Sequence, residues 1–121
     1  MKKILFIEDE SALQRTITQV LSEEGFEVVS AIDGETGLKS AESELPDLIL
    51  LDLILPRIDG FEVLSLLKAN PKTISIPVIV LTNLEGSADV ERALALGATT
   101  YLVKTNYRLE EVIEKVKQAI H

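Results

Sequence analysis

The sequence predicts an α/β domain: an open, doubly wound parallel sheet with helices on both faces. Three observations carry this. Five short apolar runs recur along the 121 residues, and segments with helical spacing separate them. The runs Ile4–Ile7, Leu48–Leu51 and Val78–Leu81 show no polar alternation, as strands covered on both faces require. Strands alternating with helices in this way are joined by right-handed crossovers. A closed eight-stranded barrel needs roughly 200 residues or more, so this sheet stays open.

The first strand is Ile4-Leu5-Phe6-Ile7. Leu13, Ile17, Val20 and Leu21 then fall at i, i+4, i+7 and i+8, with Gly25 as the helix stop. The second strand centres on Val28-Val29, and Leu38, Ala41 and Leu45 form a weaker helical stripe behind it. The third strand is Leu48–Leu51, followed by Phe61, Leu64 and Leu67 at three-residue spacing. Asp33-Gly34 and Asp59-Gly60 precede the second and third helices and read as turns or caps. Residues 70–77 form a longer loop that keeps two isoleucines. The fourth strand is Val78–Leu81, followed by Val90, Ala93 and Leu94 before Gly97. The fifth is Tyr101–Val103. The last stripe is Leu109, Val112, Ile113, Val116 and Ile120, with Glu110-Glu111 early and Lys115 and Lys117 late, which suits the helix dipole.

Composition narrows the chemistry. There is no cysteine, and the single histidine is His121. Thiol catalysis, cysteine-ligated metals, histidine triads and multi-histidine metal sites are therefore excluded. Carboxylates, hydroxyls and lysine remain. The net charge of −8 argues against sequence-independent nucleic-acid binding, which relies on Lys and Arg at phosphates. No run approaches the ~18 apolar residues of a membrane span, and the start is not a signal peptide. The expectation is one cytoplasmic domain over residues 1–121, with no second domain or linker.

The informative polar residues follow the strands. Glu8-Asp9-Glu10 follow the first, Asp52 the third, Thr82 the fourth and Lys104 the fifth. That edge of an open α/β sheet is where ligands bind. Taken singly, these residues read as caps, turns or solvated side chains. Taken together, they bring carboxylates, a hydroxyl and an amine to one edge. Clustered carboxylates repel, and a hard divalent cation such as Mg²⁺ relieves this with oxygen ligands. A lysine and a threonine there suit phosphoryl oxygens, and Asp52 becomes a carboxylate nucleophile that forms an acyl phosphate.

These residues resemble the receiver domain of bacterial two-component response regulators. The matching stretches are Ile7-Glu8-Asp9-Glu10, Pro46–Pro56 with Asp59-Gly60, Val78–Thr82 and Gly97–Lys104. The resemblance implies a flavodoxin-like (βα)5 sheet of order 2-1-3-4-5. It implies that Asp52 accepts a phosphoryl group from a histidine kinase, a phosphotransfer protein or a small phosphodonor. Asp9 would bind Mg²⁺ directly, Glu8 mainly through water, and Asp52 and the Ile54 backbone carbonyl would complete the protein ligands. Lys104 would contact the phosphoryl group, Thr82 would swing toward it, and Tyr101 would turn inward. The face made by helix 4, strand 5 and helix 5 would then change for a downstream protein. Such a chain is a phospho-acceptor that assists its own transfer and dephosphorylation, not an enzyme.

Two departures stand out. Thr105 replaces the proline usual after the lysine, and a cis bond there costs ~3 kcal/mol without proline, so a trans bond is expected. Leu55 replaces a methionine, a volume-conserving change. The side chains two residues after Asp52 and after Thr82, Ile54 and Leu84, are expected to border the approach of hydrolytic water. Arg92 is the sole cation of helix 4, so a monomer or weak dimer is expected. Tyr107-Arg108 are residue types common in binding hot spots, and equally a solvated helix start. Two other functions compete with this reading. A flavin-binding electron carrier needs a phosphate loop where Glu8-Asp9-Glu10 stand. A phosphorylation-independent interaction domain has no need of Asp9, Asp52, Thr82 and Lys104.

Overall fold

A computed structural model describes residues 1–120; His121 lies outside the described residues. The elements run β1 (Lys3–Ile7), α1 (Ser11–Glu23), β2 (Glu27–Ala31), α2 (Gly34–Glu44), β3 (Leu48–Leu51), α3 (Gly60–Ala69), β4 (Val78–Thr82), α4 (Ser87–Ala95), β5 (Thr100–Val103) and α5 (Leu109–Ala119). The strands form one parallel sheet of order β2-β1-β3-β4-β5. This is the expected flavodoxin-like (βα)5 sheet.

Unbroken apolar strands work because successive side chains alternate between two cores. Leu5, Ile7, Ile49, Leu51, Val78 and Val80 face α2, α3 and α4. Ile4, Phe6, Leu48, Leu50, Ile79 and Leu81 face α1 and α5. The chain reverses between layers where the caps predict. Asp33 accepts the Thr36 N–H at 2.8 Å and Asp59 the Glu62 N–H at 3.0 Å, each opening a helix. Gly25 ends α1 at φ +94°, a conformation that costs glycine little.

Two residues depart from the expected helical stripes. Leu45 is not on the buried stripe of α2. It caps the helix in the left-handed region at φ +45°, donates its N–H to the Ala41 carbonyl, and is 56 % exposed. Leu94 is likewise 47 % exposed, which leaves Ala93 as the only buried residue of α4. Ile120 caps the end of α5 and packs against the core, as its stripe predicts. The loop at 70–77 is held by Thr73, whose buried hydroxyl donates to the Leu67 carbonyl at 2.7 Å. The Lys104–Thr105 bond is trans and opens a 3-10 turn over Lys104–Asn106.

Gly60 positions the site. A β-carbon there would stand 2.4 Å from the Asp52 carbonyl oxygen and 2.4 Å from the Leu53 α-carbon. Only glycine lets the start of α3 lie on the turn that follows Asp52. The Gly60 N–H donates to the Leu53 carbonyl at 2.9 Å and fixes that approach.

Candidate functional site

Strand register assembles the site. Ile7 pairs with Leu51, so Glu8 and Asp52 leave neighbouring strands side by side. Thr82 pairs with Val103, which sets Lys104 one step beyond the β4 end. The Asp52 N–H donates to the Ile7 carbonyl at 3.1 Å, and the Glu8 N–H to the Ala31 carbonyl at 2.9 Å. The acidic side chains are thus held by backbone still bonded as sheet.

Glu8, Asp9 and Asp52 each bring a carboxylate oxygen within 4.8 Å of the others. Glu8 is fully buried, Asp52 nearly so, and Asp9 is exposed. Lys104 Nζ donates to Asp52 Oδ2 at 3.1 Å and lies 2.9 Å from Glu8 Oε1 and 4.0 Å from Glu10 Oε1. Asp52 Oδ1 accepts the Ile54 N–H at 3.2 Å, and Glu8 Oε2 accepts the Glu10 N–H at 3.1 Å. Glu8 Oε1 has a close cation but no aligned hydrogen bond. Burial pushes the Glu8 carboxyl up to about 7, with Asp52 adding to the rise and Lys104 opposing it. Burial works against the charge on Lys104, but Glu8 and Asp52 outweigh it and raise its pKa.

The mouth has a volume of about 190 Å³ and is lined by Glu8, Asp9, Glu10, Asp52, Ile54, Asn83 and Lys104. A larger groove of about 460 Å³ runs between α2 and the end of α3, lined by residues such as Leu38, Leu66 and Pro71. It holds no comparable cluster of charge, so chemistry rather than size identifies the site.

The donor set fits a hard divalent cation. It offers three carboxylates, one of them exposed and one with an oxygen lacking a hydrogen bond. Lys104 supplies part of the neutralising charge.

The structure brings Glu8, Asp9, Asp52, Ile54 and Lys104 to one mouth. Thr82 sits behind it, fully buried, with its hydroxyl accepting the Leu84 N–H at 3.5 Å. Tyr101 stands farther along, half-buried against the α3–α4 side of the sheet, and its hydroxyl donates to the Leu84 carbonyl at 2.7 Å. Leu84 does not line the mouth; it packs toward the core. Asn83 takes its place and was missed by the sequence reading, although a polar residue directly after Thr82 was the signal.

Comparison with known proteins agrees with this geometry. The family model described as "Response regulator receiver domain" matches residues 4–117. The alkaline phosphatase synthesis transcriptional regulatory protein PhoP of Bacillus subtilis (strain 168) is 39% identical over 116 residues, which is 96% of this chain and 47% of that protein. The chain therefore spans about half the length of this curated relative. Chemotaxis protein CheY4 of Vibrio cholerae superposes with a TM-score of 0.91 at 26% identity, covering 99% of each chain. The Mn(2+)-bound form of response regulator Rcp1 gives a TM-score of 0.81 at 34% identity, covering 98% of this chain and 91% of that one. A family model over nearly the whole sequence, joined to a matching fold and an acidic mouth at the expected strand ends, shows that the chain belongs to the response regulator receiver domains of two-component signalling.

Proposed function

We propose that this domain, taken as residues 1–121, receives a phosphoryl group on Asp52 from a histidine kinase's phosphohistidine, a phosphotransfer protein or a small phosphodonor. The observation that carries the reading is Lys104 Nζ shared between Asp52 and Glu8 at a mouth that also holds Asp9. An Asp52 carboxylate oxygen attacks phosphorus; with a phosphohistidine the phosphorus–nitrogen bond breaks and its electron pair stays on the imidazole, and with acetyl phosphate the phosphorus–oxygen bond breaks and acetate leaves. Asp9, Asp52, Glu8 and the Ile54 backbone carbonyl would hold Mg²⁺, with Glu8 acting mainly through water. When bound, Mg²⁺ neutralises charge on the phosphoryl oxygens. The Mn(2+) form of Rcp1 supports a divalent ion in such a domain.

Lys104 follows the charge. Once Asp52 is phosphorylated, the ammonium turns to a phosphoryl oxygen. Thr82 accepts one long hydrogen bond, which leaves its proton available to a second phosphoryl oxygen. Its movement pulls on Leu84, whose carbonyl holds Tyr101, and so carries the change to the face of α4, β5 and α5. A downstream protein reads that face. The domain is a phospho-acceptor that promotes its own phosphorylation and dephosphorylation, acting as a monomer or weak dimer.

The acidic surface argues against this domain itself gripping nucleic-acid phosphates. No described helix is long and apolar enough to cross a membrane, and a cytoplasmic place suits partnership with a kinase. A phosphorylation-independent role is not favoured, because it leaves the buried Glu8–Lys104–Asp52 group without a purpose.

Intact mass after incubation with acetyl phosphate and Mg²⁺ tests the reading. Wild type gains one phosphoryl group and Asp52→Asn gains none. Equal labelling of the two would show that Asp52 is not the acceptor.

A further inference from the structure

α4 is the least buried helix of the domain. Ala93 is its only buried residue, Leu94 faces outward, and its N-cap Gly86 offers no side-chain cap. Arg92 lies next to Ala93. Its guanidinium carbon sits 4.1 Å from the centre of the Phe61 ring, within cation–π distance. Arg92 makes no ion pair with any described residue, so the ring is its partner. Phe61 is itself nearly buried in the α2–α3–α4 core and directly follows Gly60, which is packed on the Asp52 carbonyl. The contact therefore ties the least buried helix to the turn that follows Asp52.

We infer that Arg92 is a positioning residue: its stack on Phe61 is the latch that sets how readily α4 leaves its resting place. A helix with so little buried surface opens locally at low cost, so one exposed contact shifts its equilibrium measurably. The inference concerns the unphosphorylated chain and stands apart from the phosphoryl chemistry proposed above.

Amide hydrogen exchange of the full chain, in chelator and without phosphodonor, tests it. Arg92→Gln keeps the stem and removes the cation; exchange across α4 should rise about 2- to 5-fold, the value of a surface cation–π contact. Amides in β1, β3 and α5 should not change. Arg92→Lys keeps a cation over the ring and should recover most of the protection. In a Phe61→Leu background, Arg92→Gln should have no further effect, which separates the ring contact from any action of the charge on the helix dipole. Unchanged α4 exchange in Arg92→Gln overturns the inference. An even rise throughout the domain, or an equal further rise in the Phe61→Leu background, overturns it as well. If Phe61→Leu does not fold, the contrast between Gln and Lys decides: equal exchange in the two overturns the latch.

Discussion

Tyr101 donates its hydroxyl proton to the Leu84 carbonyl 2.7 Å away and so ties β5 to the loop that leads into α4. Burial, then the charges of Asp89 and Asp52, raise the phenol pKa, so the donor persists through mildly alkaline pH. The same loop meets Thr82 through the Leu84 N–H, which makes Leu84 the joint between the two residues. Tyr101→Phe keeps the ring and removes the bond. Stability should fall by about 0.5–1 kcal/mol, the net worth of a neutral hydrogen bond that water can partly replace. Urea denaturation reads the loss, and amide exchange should locate it at residues 83–86. No change in either measurement would mean that water replaces the bond at no cost.

Asp9 is the exposed member of the acidic group and the one best placed to meet a cation arriving from solvent. Loss of an outer-shell partner typically costs about 10–100-fold in metal affinity, and loss of a direct ligand should cost no less. Asp9→Ala should therefore weaken Mg²⁺ binding at least tenfold and stop labelling by acetyl phosphate. Isothermal titration with Mg²⁺ alone checks the first point without any phosphoryl chemistry. Unaltered affinity would remove Asp9 from the ligand set.

Glu8 predicts a pH dependence of the metal-free chain. Its carboxyl is raised from 4.5 to about 7, chiefly by burial. Between those values the folded chain keeps a proton that the unfolded chain releases. Stability therefore falls as pH rises across the interval, and the loss is complete above about 7. Glu8→Gln cannot titrate. In chelator, its stability relative to wild type should grow by on the order of 2–3 kcal/mol between these limits. Excess Mg²⁺ should shrink that difference by favouring the ionised carboxylate. A difference that stays flat with pH would show that Glu8 does not titrate in this range.

The strands and most of the candidate site are legible because both are local signals. Four-residue apolar runs need two covered faces, and Glu8, Asp52 and Lys104 each stand one residue past a strand end, where register alone brings them together. The helices were less legible where burial is shared unevenly. Leu94 falls on the expected stripe of α4, yet α4 touches the domain along so narrow a line that only Ala93 is covered. Leu45 reads as a stripe residue because spacing cannot reveal a left-handed cap that glycine would ordinarily fill. The stack of Arg92 on Phe61 joins two helices far apart in sequence, and no periodicity records it. Asn83 and Leu84 show the limit most sharply. They are neighbours, and which one meets the mouth depends on how the chain turns after β4.

That turn changes the expectation for the lifetime of the phosphorylated state. Hydrolysis requires water in line with the phosphorus–oxygen bond, opposite Asp52, and positioning is a major part of catalysis in such transfers. Ile54 and Leu84 were expected to border the approach together. Ile54 does line the mouth, 51 % exposed, and its side chain can neither donate nor accept a hydrogen bond to orient water. Leu84 packs toward the core instead, so a polar side chain at 84 would disturb packing before it met the water. Asn83 is the residue of this loop that lines the mouth, and a side-chain amide can both donate and accept. Ile54→Asn should therefore speed phosphate release, and Asn83→Ala should slow it. Each change should be about 5-fold, the worth of one hydrogen bond of about 1 kcal/mol. The protein is loaded with acetyl phosphate, the donor is removed with Mg²⁺ present, and released phosphate is followed with time. Leu84→Glu serves as the contrast, with little acceleration and a lower melting temperature expected. If Leu84→Glu speeds release while Asn83→Ala leaves it unchanged, position 84 governs the water and Asn83 is a bystander at the rim.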